Sequence, residues 1–210
     1  MKGSRIHIAL IFCLLAFPKT GFSQSGWKDF VEFGVEWGYS ATYYEYYHYN
    51  YLSGADGSRM DSKDSHLNYK SNGHLYAYAG IRPANFLSID LRTGWAGVFE
   101  GRRVMPLTLE VNFLPSGCNA DGWKYSLEGG MLLTQSHMAG QYAYIAKALF
   151  ARRVKLSDYL CLDMGVSLQA VADHPTNVYD KSRSEIVANE NLLRSDCYYS
   201  SLNFSIGLCF

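Results

Sequence analysis

From Val31 the chain alternates. In VEFGVEWGY, Val31, Phe33, Val35, Trp37 and Tyr39 fall on one face, and Glu32, Gly34, Glu36 and Gly38, followed by Ser40, fall on the other. A period of two is the signature of a strand with one apolar and one polar face, and a helix of this sequence would scatter its glutamates around the cylinder. The pattern recurs seven times. Leu75 to Ile81 opposes Tyr76, Tyr78 and Arg82, and Leu87 to Trp95 opposes Asp90 and Arg92. Leu107 to Phe113 opposes Glu110, and Trp123 to Met131 opposes Lys124 and Glu128. Tyr142 to Phe150 opposes Lys147, Leu160 to Leu168 opposes Asp163, and Leu202 to Phe210 opposes Ser205 and Cys209.

The pattern predicts an all-β chain of eight strands in an up-and-down antiparallel barrel. The connections alternate in length. Short ones carry turn residues at 83–85, 115–122 and 152–158, whereas roughly 44–72 and 171–196 are long and polar. Short turns on one side and longer loops on the other is the arrangement of an outer-membrane barrel. Periodicity alone does not say which face is inside, because a soluble barrel and a membrane barrel put opposite faces outward. Three features favour lipid outside. Aromatic residues cluster near strand ends, as in Trp37 and Tyr39, Trp95 and Phe99, Trp123 and Tyr125, and Tyr142 and Tyr144. Rings of this kind favour the membrane interface, where one edge is wet. Glycine and alanine are frequent on both faces, unlike a soluble barrel that lines a cavity with large apolar residues. The chain also stops at Phe210, at the end of an alternating strand.

The stretch Leu202-Asn203-Phe204-Ser205-Ile206-Gly207-Leu208-Cys209-Phe210 resembles the terminal targeting strand of bacterial outer-membrane proteins. That resemblance implies insertion by the barrel assembly machinery. Over residues 28–210 the chain resembles the small eight-stranded outer-membrane barrels of the OmpX-like and opacity-like group, and in style it is similar to barrels from Bacteroidetes.

The amino terminus fits this destination. Lys2 and Arg5 precede an apolar run from Ile6 to Phe17, and Gly21-Phe22-Ser23 offers small residues at a cleavage site. This reads as a secretory signal peptide over residues 1–23, since a spanning helix needs about 20 apolar residues. Residues 24–210 form one barrel domain. Removing Lys2, Arg5 and Lys19 leaves 16 basic residues of the original 19 against 19 acidic ones. A formal charge of −3 lacks the basic footprint of a nucleic-acid binder.

Three groups of residues carry the chemistry. The first is the polar face, with Glu32, Glu36, Asp90, Glu110, Glu128 and Asp163 against Arg82, Arg92, Lys124 and Lys147. Eight strands enclose a space that side chains just fill, so these charges are expected to pair into a plug, with Glu110–Arg92 and Glu128–Lys147 on neighbouring strands. A narrow ion path is the alternative. The second is TYYEYYHYNY, where Tyr43, Tyr44, Tyr46, Tyr47, Tyr49 and Tyr51 are expected to form an exterior aromatic surface. Uninterrupted alternation places Glu45 outward in water and makes Tyr76 and Tyr78 part of the matching girdle on the next strand. Such tyrosines serve either as depth anchors or as a binding surface. The third is the cysteines left after cleavage, Cys118, Cys161, Cys197 and Cys209. Cys161 and Cys209 share the inward face at the periplasmic rim and make a candidate disulfide, with Cys118 as rival partner and four free thiols as the alternative.

No catalytic residue, metal site or cofactor is expected. Ser136-His137 is adjacent, without the two-residue spacing seen in small-barrel deacylases, and the other histidines have no recognisable Ser or Asp spacing. The reading is therefore a non-enzymatic outer-membrane barrel with a structural or adhesive role through its exterior loops. A lipid-modifying enzyme and a narrow channel are the alternatives. Its expected partners are outer-membrane lipid and an extracellular ligand that the sequence does not identify.

Overall fold

A computed structural model describes residues 30–99, 102–133, 142–176, 178–180 and 184–210. The proposed signal segment and Ser136-His137 lie outside the described residues. The chain forms β1 (Val31–Leu52), β2 (Arg59–Ala84), β3 (Leu87–Phe99), β4 (Arg102–Val104), β5 (Pro106–Phe113), β6 (Gly122–Leu132), β7 (Ala143–Ser157), β8 (Leu160–Asp173), β9 (Val178–Asp180), β10 (Glu185–Val187) and β11 (Leu192–Cys209). Strands β1, β2, β3, β5, β6, β7, β8 and β11 pair antiparallel in an unbroken ring, and β1–β11 joins the two ends of the chain. β4 continues the wall of β5 beyond Met105. β9 and β10 form a separate hairpin.

The stagger of the ring follows from the pairing. From Val31 the row of partners runs Ile81, Ile89, Val111, Leu127, Ala148, Leu168 and Leu202, and returns to β1 at Ala41, ten residues farther along. With about 3.3 Å per residue and about 4.8 Å between strands, that stagger tilts the strands by roughly 40° and sets a backbone cylinder about 16 Å across. Inward side chains fill such a cylinder.

The faces separate as the alternation requires. Leu91, Trp95, Leu109, Leu127, Tyr144, Leu168 and Phe204 are exposed around the ring, with Leu127 at 69% and Trp95 at 62%. Glu32, Asp90 and Arg92 are completely buried. Apolar outside and charged inside is the inverse of a soluble barrel, and the exposed apolar band far exceeds the patches that soluble monomers tolerate.

One device breaks the alternation. On β1, Thr42 pairs with Ser201 and Tyr44 with Ser200, so Tyr43 has no partner on β11. This β-bulge leaves Tyr43 and Tyr44 both on the outer side and reverses the parity of everything after them. Even positions such as Glu36, Ser40 and Thr42 face inward before it, and Glu45, Tyr47, Tyr49 and Tyr51 face inward after it. Two expectations are corrected. Glu45 is buried rather than pointing into water, and Tyr47, Tyr49 and Tyr51 belong to the interior, leaving Tyr43, Tyr44 and Tyr46 on the outer surface. Tyr76 and Tyr78 are likewise buried inside and not part of a girdle, because β2 keeps its even positions inward.

The strands outrun the expected boundaries. The segment 44–72 is mostly β-hairpin, with a turn confined to 53–58. β7 continues to Ser157, so 152–157 is wall and only 158–159 is turn. The segment 171–196 contains the end of β8, the β9–β10 hairpin and the start of β11.

Candidate functional site: the filled interior and its two ends

The interior is layered, and β1 and β7 display the layers in order. From the end at which β1 starts, the inward face of β1 carries Glu32, Glu36, Ser40, Thr42, and then Glu45, Tyr47, Tyr49 and Tyr51. Inward positions of β7, which runs the other way, are Ala143, Ile145, Lys147, Leu149, Ala151 and Arg153. The ten paired charges occupy the lower and middle levels, and a mainly apolar cluster, with Glu45 and Asp180 buried beside it, occupies the upper level, where β1 ends.

At the lower end, the Arg82 Nε donates to Glu32 Oε2 at 2.8 Å and its Nη1 to Asn119 Oδ1 at 2.8 Å. Arg153 grips Asp163 with two bonds of 2.7 Å and donates a third to the Cys118 carbonyl at 2.8 Å. Such a fork-to-fork pair is the strong form of a charged hydrogen bond. Lys124 shares Asp163 at 3.3 Å. The β5–β6 turn thus tucks beneath the barrel and is held by two interior arginines. Asn112 links this level by donating to Asp90 Oδ2 at 2.6 Å and to Ser88 at 3.0 Å.

The middle level is centred on Arg92. Its guanidinium contacts Glu110, Glu36 at 2.9 Å and Glu128 at 3.3 Å. Lys147 lies 2.7 Å from Glu128 and 3.4 Å from Glu36. Both cations also face Tyr76, at 5.0 Å for Arg92 and 4.9 Å for Lys147, and Arg92 lies 5.6 Å from the Tyr78 ring. An aromatic face accepts a desolvated cation well. His74 completes the level, 3.7 Å from Glu36 and within 3.2 Å of Ser40 Oγ.

All ten charges named from the sequence therefore lie inside and in contact with polar partners. Arg153 and His74 belong with them and were missed. Arg153 lies in the 152–158 segment that the sequence assigns to a turn, and its inward phase emerges only when β7 extends past Phe150. His74 is one step of the β2 alternation beyond Tyr76.

Above the charges, Tyr47, Tyr49, Tyr51, Ile145, Val171, Cys197 and Tyr199 pack with Val178 and Val187 of the β9–β10 hairpin. Tyr47 and Tyr49 stack at 4.8 Å, and Tyr51 donates to Asp180 at 2.9 Å. The upper end of the barrel is thus closed by the β9–β10 hairpin. On the outer side of this level, Tyr46 meets Tyr198 at 6.0 Å and the Tyr39 and Tyr69 hydroxyls are 3.0 Å apart, with Leu67 exposed between strands and solvent.

Cys161 and Cys209 are direct cross-strand partners on the inward face, and both thiols are free in this structure. Cys197 stands at the opposite end, 3.3 Å from the Tyr49 hydroxyl. Cys118 is buried in the β5–β6 turn. Among the described residues no cluster of three or more His, Cys, Asp or Glu side chains is arranged to hold a metal ion.

No family model matches the chain, and no curated protein matches it. Among solved structures it is similar to the outer membrane protein OprG from Pseudomonas aeruginosa, at 12% identity and a TM-score of 0.44, over 85% of this chain and 95% of that one. It also aligns with the secretin InvG of the Salmonella SPI-1 type III secretion injectisome, at 9% identity and a TM-score of 0.26, over 99% of this chain and 68% of that one. At these identities no residue role passes from either protein to this chain.

Proposed function

We propose that this chain is a non-conducting outer-membrane β-barrel that displays an exterior hairpin for structural or adhesive contacts. The observation that carries the reading is the inverted barrel itself, with a continuous apolar belt outside and paired charges inside. Lipid is the solvent that such an exterior fits. The apolar run Ile6 to Phe17 behind Lys2 and Arg5, read as a signal peptide, and the alternating stretch Leu202 to Phe210 support export and insertion by the barrel assembly machinery.

The geometry of β1 supports the exterior role. Its 22 residues, tilted by roughly 40°, extend about 55 Å along the barrel axis, against an apolar band about 25 Å tall. More than half of the β1–β2 hairpin therefore stands clear of the membrane. Its outer surface carries Tyr43, Tyr46, Leu67 and Tyr69, and the neighbouring β10 and β11 add Ile186 and Tyr198. Exposed aromatic and aliphatic residues on a rigid stalk suit contact with another surface.

The test uses the purified chain refolded into lipid. In planar bilayers it is expected to show no stable open conductance, and in vesicles externally added trypsin is expected to cleave only the hairpin turn region near Arg59. Large steady conductance promotes the channel. For the adhesive role, cells displaying Leu67→Ser/Tyr69→Ser are expected to lose surface attachment relative to wild type at equal barrel levels. Unchanged attachment leaves the barrel reading standing and removes the adhesive one.

A further inference from the structure

A groove of about 730 Å³ crosses the outer wall of the barrel from β7 to β1. The pairing explains its shape. Its floor is one registered row of small residues, Ala151, Gly165, Ser205 and Gly38. Two registered rows of outward side chains form the banks. Arg152, Met164, Ile206 and Trp37 line one side, and Phe150, Val166, Phe204 and Tyr39 line the other. At the β7 end the Trp123 ring stacks on Phe150 at 4.7 Å and closes the groove.

That closed end carries a cation. Arg152 points outward and its guanidinium lies 5.2 Å from the Trp123 ring centroid. The other buried or wall arginines of the lower barrel, Arg82 and Arg153, face inward onto carboxylates. Among the described residues no carboxylate pairs with Arg152. The residue sits near the periplasmic end of β7, five positions before the Ser157 that ends the strand. Because partner rows climb toward the exterior from β7 through β8 and β11 to β1, the groove rises from Arg152 into the apolar belt. It spans three strand spacings, about 14 Å, and at the strand tilt of roughly 40° it climbs about 9 Å into a half-core about 15 Å deep.

We infer that this groove holds one acyl chain of an anionic phospholipid of the periplasmic leaflet, with the lipid phosphate paired to Arg152. The occupant follows from charge and depth together. A cation at the interface without a carboxylate partner attracts an anion, and an apolar trough leading from it into the belt suits a hydrocarbon chain. The inference rests on the belt lying in a bilayer, as proposed above.

The experiment reads tryptophan fluorescence in the full barrel chain carrying Trp27→Phe and Trp95→Phe, which leaves Trp37 and Trp123, both on the groove. The protein is placed in phosphatidylcholine vesicles containing a small equal fraction of either bromine-labelled phosphatidylglycerol or bromine-labelled phosphatidylcholine. Quenching is expected to favour the anionic lipid by a factor on the order of five, the size one basic side chain gives at a membrane surface. Arg152→Gln is expected to remove the preference while keeping the quenching by labelled phosphatidylcholine, and Arg152→Lys is expected to retain it. No preference in the parent protein, or an unchanged preference in Arg152→Gln, overturns the site. Absence of quenching by either lipid overturns the bilayer placement itself, an outcome distinct from loss of preference alone.

Discussion

Cys161 and Cys209 stand directly opposite each other where β8 meets β11. Phe33 and Phe210 exchange both backbone hydrogen bonds, at 3.3 and 2.8 Å, so Phe210 turns its amide and carbonyl to β1. One residue earlier, Cys209 turns its own to β8. The cysteine pair is therefore of the hydrogen-bonded type, with Cα atoms about 5.5 Å apart, inside the Cα window of a disulfide, whereas the Cβ atoms of such a pair must draw about 1 Å closer to form the bond. In an oxidising compartment the expected product is a bridge that locks the last two strands. Peptide mapping of envelope-purified protein without reductant checks it. A peptide joining Cys161 to Cys209 is expected, and a Cys118 linkage to either one would mean that the β5–β6 turn reaches farther in than its position here.

Arg92 is the residue whose loss should cost most. It is fully buried and contacts Glu36, Glu110 and Glu128. Arg92→Met leaves three interior carboxylates with Lys147 as their main cation. Removing one partner of a buried pair costs about 3–5 kcal/mol because the other charge stays behind. The double variant Arg92→Met/Glu110→Gln should recover part of that loss. Urea unfolding in lipid, followed by the shift between folded and heat-denatured electrophoretic forms, measures both.

The barrel was legible in the sequence because a strand of lipid-facing and lumen-facing positions alternates without exception over most of its length. Each charge from Glu32 to Asp163 that sat on the polar face of the pattern lies inside. Alternation gives side, however, and not depth or interruption. The bulge at Tyr43 has no turn residue and no glycine to announce it, and it adds one tyrosine to a run of tyrosines, so uninterrupted alternation gives the wrong parity for the strand beyond it. The exterior stopper was hidden for a different reason. Val178 and Val187 sit in three-residue strands among polar neighbours, too short for any period to register, and only packing against Tyr51 and Tyr199 makes them core.

Ile89 tests which face touches lipid. It lies on the outward row between Ile81 and Val111, while Asp90 beside it is buried and bonded to Asn112. Ile89→Arg places a cation in the lower part of the belt, two residues above the start of β3, at a depth-dependent cost that stays below the roughly 2–4 kcal/mol of the midplane. Asp90→Asn keeps the shape and a hydrogen-bonding group inside and should cost far less. The fraction folded on insertion into vesicles is the measurement. Normal insertion of Ile89→Arg together with failure of Asp90→Asn would reverse inside and outside.

Two single-residue deletions on β1 probe the bulge. Thr42 faces inward, Tyr43 and Tyr44 face outward, and Glu45 faces inward again. Deleting Tyr43 therefore removes the extra outward residue and restores strict alternation, with Glu45, Tyr47, Tyr49 and Tyr51 still inward. Deleting Tyr47 instead leaves the bulge and reverses the strand beyond it. Tyr49 and Tyr51 then turn outward, which breaks the contact of Tyr49 with Cys197 and the bond from Tyr51 to Asp180. Losing large aromatic side chains from a core costs about 3–5 kcal/mol each. The deletion of Tyr47 should thus unseat the exterior stopper, while that of Tyr43 should leave it packed. Limited proteolysis of the β9–β10 hairpin on whole cells separates them, with rapid cleavage expected only for the Tyr47 deletion. Resistance in the Tyr47 deletion paired with cleavage in the Tyr43 deletion would place the parity switch somewhere other than Tyr43.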